Sequence, residues 1–352
     1  MEFAKLAAKQ LFYALGSDIR SWKYIPQALW VAISTGSGLR MLWRTLTGLR
    51  YLQKKGLPPY EPGLPGDKIH FLRTGSSDAI LLESQGHFAL VDAAEDSEYP
   101  ADMPWLAYDG WEDYVTDYVK RVAGGKLDFI LGTHAHSDHI ACFDTVILDP
   151  DITIGRAYLK PYDNDRMQSY ERIYWDNAQR CGQMVAALEA RGVPLIENIS
   201  SKPFRLGNFK LTIFNGEYAN TSGDENDSSL GLLMESSGRR AFLAGDLNNH
   251  SGNENRLRGE IGQVDLHKCA HHGYEGSSTL AFATGLRPHT VVFPNYAWKV
   301  YPTVAGRYIW AGNTKRLLAT GSFGGVAAVF RDGEIKYYAI GEYAQPKKAR
   351  PV

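Results

Sequence analysis

The chain is expected to fold as an α/β sandwich, two mixed sheets packed face to face with helices outside, behind a helical N-terminal extension. Three observations predict this. Short apolar strands followed by amphipathic helices occur twice over between residues 67 and 340. A stretch with four prolines, LPPYEPGLPG at 57–66, interrupts helix and strand alike and marks a boundary. A run of metal-binding residue types, THAHSDHI at 133–140, directly follows a short apolar strand.

Ahead of the boundary, LRMLWRTLTGLRYL (39–52) places Leu39, Leu42, Trp43, Leu46 and Leu49 at helical spacing. Beyond it, IHFLR (69–73), AILLE (79–83) and FALVD (88–92) read as three strands joined by turns. WEDYVTDYVKRV (111–122) puts Trp111, Tyr114, Val115, Tyr118, Val119 and Val122 on one helical face, and LDFILG (127–132) is the strand that feeds the histidines. One long helix is expected over about 170–191. The second half repeats the theme with strands at 209–214, 230–235, 240–245 and 264–270. A helix starting near Ser277, a strand at 289–293, a helix at 303–311, a strand at 316–320 and a hairpin around Asp332-Gly333 complete it. The expected domains are a basic extension over 1–60, a catalytic domain over 61–345 and a tail over 346–352.

Composition bounds the class of protein. With 352 residues, 44% of them hydrophobic and 22% charged, the chain has ample material for a core and is neither disordered nor fibrous. Its three cysteines, Cys142, Cys181 and Cys269, form no disulfide framework and suit a reducing compartment. Lys5 and Lys9 interrupt the place where a signal peptide has its apolar run, and no apolar run reaches the roughly 18 residues of a membrane span. A cytoplasmic placement is expected. Charge is uneven, however: residues 1–56 hold nine Lys/Arg against Glu2 and Asp18, a balance of +7 that leaves −8 on the remainder. With Trp22, Trp30 and Trp43, this segment suits the surface of an anionic membrane or, as an ordinary packed helix, its own domain or a second subunit.

His134, His136, Asp138 and His139 place four ligand-type residues within six positions. From a loop at a sheet edge, histidines two apart converge on one ion, while Asp138 and His139 turn toward a second point. FLAGDLN (242–248) ends a strand at Asp246, and VDLHKCAHHGYEGSS (264–278) ends another at His271 and His272. Neighbours on extended backbone point apart, so one of these histidines can bind metal while the other faces substrate.

HAHSDH, with Asp92 of ALVDAA upstream and Asp246 and His271 downstream, resembles the metallo-β-lactamase superfamily over roughly 67–340. The resemblance implies an αββα four-layer sandwich with two divalent ions at one edge, zinc ahead of manganese or iron. It assigns His134 and His136 to the first ion, Asp138, His139 and His271 to the second, and Asp246 to both. Asp92 would stand behind them and orient the ligand loop. The stretches RAYLKPYDNDR (156–166), ERIYWDNA (171–178), RGVPLIENIS (191–200), LAGDLNNHSGNENR (243–256) and IGQVDLHKCAHH (261–272) are similar to the catalytic domain of pneumococcal-type phosphorylcholine esterases. That implies a phosphodiesterase, and the pair Trp298-Lys299 falls where those enzymes have one. Choline-binding repeats have no counterpart in this sequence.

One departure matters. Many superfamily members place a third histidine on the first ion, yet no histidine lies between His139 and Asp246. GDENDSSLG (223–231) stands there, either lending Asn226 or Asp227 to the site or forming a solvated acidic turn. The first ion is therefore expected to rest on His134, His136, Asp246 and water. The HHG sequence without that histidine is also similar to the nuclease-like domain of competence DNA-uptake channels.

The implied chemistry is phosphodiester hydrolysis by hydroxide shared between two ions, acting on a small or lipid-like ester. Asp138, His272 and Lys299 are the candidate catalytic groups. Tyr274 and Ser277 are candidate substrate contacts at a helix start, a place that plain serine capping explains equally well. A choline head group would need an aromatic cage, for which Trp105, Tyr108, Tyr162, Tyr274, Tyr296 and above all Trp298 are available. The alternatives are a metal-dependent nuclease, with nucleic acid as partner, and lactone or β-lactam hydrolysis on the same fold.

Overall fold

The computed structural model describes residues 56–97 and 110–341. The expectations for the basic extension, for Trp105 and Tyr108, and for the tail lie outside the described residues.

The first half contributes strands β1 (Asp67–Phe71), β2 (Ala79–Ser84), β3 (His87–Ala93), β4 (Lys126–Leu127), β5 (Phe129–Leu131), β6 (Thr153–Ile154), β7 (Ala157–Tyr158) and β8 (Leu195–Ile196). The second contributes β9 (Phe204–Leu206), β10 (Phe209–Phe214), β11 (Gly231–Ser236), β12 (Arg239–Leu243), β13 (Leu266–Lys268), β14 (Thr290–Phe293), β15 (Arg316–Ala319), β16 (Val326–Arg331) and β17 (Glu334–Ala339). They form two large mixed sheets, β17-β16-β1-β2-β3-β5-β7-β8 and β15-β14-β13-β12-β11-β10-β9, with β4 and β6 paired apart.

Period-two alternation explains the layers. In β2, Ile80 and Leu82 point between the sheets, while Ala79 and Leu81 point outward under helices. Both faces of such strands are covered, so they read as continuous apolar runs. Phe71, Val91, Phe129 and Leu131 of the first sheet meet Leu211, Leu232, Leu243 and Leu266 of the second in the central core. Each such side chain, fully withdrawn from water, contributes roughly 1.5–3 kcal/mol. Outside the first sheet lies helix Glu112–Ala123, which buries Tyr114, Val115, Tyr118 and Val119. Its acidic first turn, basic last turn and left-handed Gly124 suit the helix dipole and the C-terminal stop. Helix Asn177–Arg191 covers the same face through Met184 and Leu188. Helices Asn253–Ile261, Leu280–Leu286 and Pro302–Trp310 cover the second sheet. The result is an αββα sandwich.

The single helix expected over 170–191 is two helices, Ser169–Tyr174 and Asn177–Arg191. Trp175 is extended between them, and Asp176 binds Arg180 Nε at 2.6 Å rather than continuing the first turn. The break leaves Tyr170 and Ile173 exposed, not packed in helical register. The helix expected from Ser277 begins at Leu280, because Thr279 provides the cap by accepting from Phe282 N.

Two sets of parallel neighbours position the site. β3 runs parallel to β5, and β12, β13 and β14 run parallel to one another. The loops beyond β3, β5, β12 and β13 meet at one edge of the sandwich, where open α/β sheets bind their ligands.

Candidate metal centre

Asp92, just before the end of β3, is the anchor of this edge. It is fully buried with φ +55°, a left-handed backbone that a non-glycine residue holds only under constraint. Its carboxylate accepts from Thr133 N at 2.7 Å, Thr133 Oγ1 at 2.9 Å and His139 Nδ1 at 2.8 Å. The histidine loop after β5 is therefore tied at its first residue, and the Nε2 atom of His139 faces forward. Gly245 is required beside it, since its φ is +53° and an added Cβ would lie 2.9 Å from Thr133 Cβ.

His139 Nε2 lies 3.2 Å from His272 Nε2, 3.2 Å from Asp246 Oδ1 and 3.9 Å from Asp138 Oδ1. His272 Nε2 in turn lies 3.2 Å from Asp246 Oδ2 and 3.1 Å from Asp138 Oδ2. A tetrahedral ion with bonds of 2.0–2.2 Å separates its donors by about 3.3–3.6 Å. Two imidazole nitrogens thus face the carboxylates of Asp138 and Asp246 at distances close to those around one divalent cation. Burial alone would raise the carboxyl group of Asp246, but His272, His139 and Lys268 hold it well below the usual range. Asp78 belongs to the same buried group: one of its carboxylate oxygens lies within 4.8 Å of candidate donor atoms of His139, Asp246 and His272.

A second donor pair adjoins the first. The rings of His134 and His139 are 4.2 Å apart, and His134 Nε2 faces His136 Nδ1 at 3.0 Å. Behind it, His136 Nε2 meets Glu171 Oε2 at 3.0 Å, and Glu171 is fully buried, supported by Asn177 Nδ2 and Glu225 N. The break after Tyr174 leaves Glu171 on its own short helix at this position.

The segment 223–231 is not a solvated turn. Glu225–Ser228 form a buried 3-10 turn packed against the histidine loop. Glu225 accepts from Ala135 N at 2.9 Å, Leu230 N donates to the Thr133 carbonyl, and Ser229 Oγ accepts from Asp246 N. Burial raises the Glu225 carboxyl to about 7. The place where relatives offer a third histidine thus braces the loop backbone. Asn226 contributes a backbone N–H to Asp224, and its Oδ1 is buried without a hydrogen-bond partner.

His271 and His272 stand in the reverse of their expected places. His272, not His271, is fully buried among the carboxylates. His271 is half-buried, with Nδ1 donating to the Glu275 carbonyl at 2.9 Å and its backbone N–H donating to Asp246 Oδ1. The reason lies in the backbone: both residues have positive φ, +53° and +51°, so the loop turns rather than extends and the alternation rule does not apply.

Ser277 is likewise corrected as a substrate contact. It is buried, and its hydroxyl donates to the Ala270 carbonyl. Tyr274 remains at the mouth, its ring 5.7 Å from that of His271, and its hydroxyl donates to Ser76 Oγ at 2.9 Å. Lys299 Nζ reaches the same Ser76 Oγ at 3.3 Å. Ser76 donates to Asn295 Oδ1, and Asn295 Nδ2 donates to the His272 carbonyl, so this wall is joined to His272 through two residues. Trp298 is 59% exposed and stacks on Tyr296 at 6.1 Å, with Lys299 Nζ within 5.5 Å of both ring centres. Tyr162 donates its hydroxyl to Asn164 Oδ1.

Sequence reasoning missed Asp78, Glu171, Glu225, Ser76 and Lys268. Only Lys268 left a readable signal, a charge inside the apolar strand VDLHKCA, where an unpaired lysine does not stay buried.

An αββα sandwich with histidine and aspartate donors gathered at strand ends is a metal-centred α/β architecture. The family model of the metallo-β-lactamase superfamily matches residues 72–294, and the chain belongs to that superfamily. No curated protein matches it. Among solved structures, it is similar to CmlA, a diiron β-hydroxylase from Streptomyces venezuelae, at 16% identity and a TM-score of 0.43. The match covers 74% of this chain and 53% of that one, so the chain spans about half the length of CmlA. It is also similar to the metallo-β-lactamase-fold protein YhfI from Bacillus subtilis, at 12% identity, a TM-score of 0.43 and 72% and 96% coverage. A third is a protein from Veillonella parvula described as a possible metal-dependent hydrolase, at 14% identity, a TM-score of 0.39 and 77% and 99% coverage. Among the described residues, no helix is long and apolar enough to cross a membrane.

Proposed function

We propose that the chain is a metal-dependent phosphodiesterase acting on a small or lipid-like phosphodiester, phosphorylcholine-like esters among them. The observation that carries this reading is the spacing of Asp138, His139, Asp246 and His272 for one ion, with His134 and His136 directly beside them for another. Nitrogen and oxygen donors of this kind suit zinc, manganese or iron. Divalent ions bound there would supply Lewis acidity and an activated water to an anionic ester.

The chain's own groups then have distinct work. The Tyr274 hydroxyl and the Lys299 ammonium, converging on Ser76, offer donors to phosphoryl oxygens that gain charge. Because Nδ1 of His271 donates to a carbonyl, its Nε2 is the atom left to exchange a proton with the leaving oxygen. The exposed face of Trp298, stacked on Tyr296, offers a platform for the head group. The structural support for a nuclease is weaker, since residues 57–352 carry a balance of −8 and nucleic-acid channels are usually basic.

A panel tests the reading. The purified 352-residue chain with zinc or manganese is offered bis-p-nitrophenyl phosphate, p-nitrophenylphosphorylcholine, linear DNA, a lactone and a β-lactam. Turnover of the small phosphodiesters is expected. No turnover of any phosphodiester refutes the proposal, and cleavage of DNA alone replaces it with the nuclease.

A further inference from the structure

Asp78 and Lys268 have no part in the chemistry above, yet both are fully buried and their side chains form an ion pair directly behind the ligands. They come from different sheets. Asp78 immediately precedes β2, and Lys268 is the last residue of β13. Asp78 Oδ1 lies 3.1 Å from His272 Nδ1, the ring atom opposite the Nε2 that faces Asp138 and Asp246. Lys268 Nζ donates to the Gly245 carbonyl at 2.7 Å and lies 3.4 Å from Asp246 Oδ1. Each member of the pair therefore holds one ligand and also holds the other member.

Fold stability does not account for such a pair, because a buried ion pair replaced by apolar groups of similar volume often leaves a protein as stable or more so. Its location does account for it. We propose that Asp78 and Lys268 are positioning residues of the metal centre, a buried brace between the two sheets that keeps His272 and Asp246 set for the same ion. The inference rests on the reading of Asp138, His139, Asp246 and His272 as ligands.

Lys268 makes the proposal sharp, because its two effects on a cation site have opposite signs. As a bare charge, an ammonium beside the site repels a metal ion, so its removal should tighten binding. As a brace, it spares Asp246 the cost of being ordered, so its removal should weaken binding. The 352-residue chain is stripped of metal and titrated with zinc against a chromophoric chelator, with cobalt spectra reporting the ligand geometry. Substitutions K268M and D78N are each expected to weaken the tighter zinc site by about 10–100-fold and to shift the cobalt bands. The double substitution should be no worse than the weaker single one, since both break the same brace. Thermal melting of the metal-free forms separates this from a general loss of structure, and D78N carries the comparison alone where K268M does not fold. Zinc affinity in folded variants that is unchanged or tighter than that of the unaltered protein overturns the brace. An unaltered protein that takes up no zinc, manganese or iron overturns the metal centre itself, and the brace with it.

Discussion

Asp92 Oδ2 and His139 Nδ1 meet at 2.8 Å where neither residue has any solvent exposure. The contact fixes which nitrogen of His139 is free, because Nδ1–H must donate to the carboxylate and Nε2 is left for an ion. The left-handed backbone of Asp92 is tolerated because three donors converge on its side chain. Substitution D92N should keep the fold and weaken the tighter zinc site by about 10–100-fold, measured by chelator competition. An affinity within twofold of the unaltered protein would show that His139 needs no such partner.

The exchanged places of His271 and His272 separate two variants cleanly. H272A should lower bound metal by about one ion per chain, since it removes one of four donors around a single position. H271A should keep its metal and lose turnover, because that ring stands at the mouth with Nδ1 held by Glu275. Metal analysis beside initial rates on one phosphodiester decides the matter, and the opposite pattern would return His271 to the ligand set.

The fold was legible wherever pattern and period agree. Strands 209–214 and 316–319 and helix 112–123 announce themselves because apolar residues recur at the spacing of the element. The ligand loop was legible too, because His134, His136, Asp138 and His139 are close in sequence as well as in space. What supports them was not. Glu171 reaches His136 only because a helix breaks at Trp175, and Asp78 reaches His272 across 194 positions of chain and two sheets. His271 and His272 exchange their expected places because the alternation rule needs extended backbone and φ is positive at both. Local periodicity carries no record of such long-range contacts or of strained turns.

The two ion positions should differ in strength. The His134–His136 pair has no third histidine among the described residues, and the segment that could supply one spends Glu225 on the backbone of Ala135. Zinc returned to stripped protein should bind in two phases, the weaker belonging to this pair. E171Q, which removes the charge beside His136 Nε2, should weaken that phase by about tenfold and leave the tighter one alone. A single phase of two equal ions would refute the ranking.

His267 gives the fold an acid-sensitive point away from the ligands. Burial lowers its pKa to about 3, and it is held neutral between the Phe242 carbonyl and the Tyr308 hydroxyl. Between that value and the ordinary 6.5 the unfolded chain binds the proton and the folded one does not, so stability falls with falling pH in that window. The slope approaches ~1.4 kcal/mol per pH unit for one such group. H267Q, which keeps a donor and an acceptor, should therefore lose less stability between pH 6.5 and 4.5 than the unaltered chain. Denaturant melts of metal-free protein measure it, and parallel pH profiles would remove His267 from the account.

Metal uptake should release protons. Burial alone would lower the pKa of His139, but Asp246, Asp92 and Asp138 push it up to about 10, and Glu171 does the same for His136. In the metal-free protein both rings are thus charged at neutral pH, whereas a ligating imidazole must be neutral. Each ion has to displace a proton, so apparent affinity should fall as pH falls from about 10. Calorimetry of zinc binding at pH 7 in two buffers of different ionisation heat reads this directly. The observed enthalpies should differ by at least the difference in buffer heat, one proton for each charged ring displaced, His272 among them because Asp246 and Asp78 hold its pKa up as well. Equal enthalpies in the two buffers would mean that the metal-free histidines are already neutral.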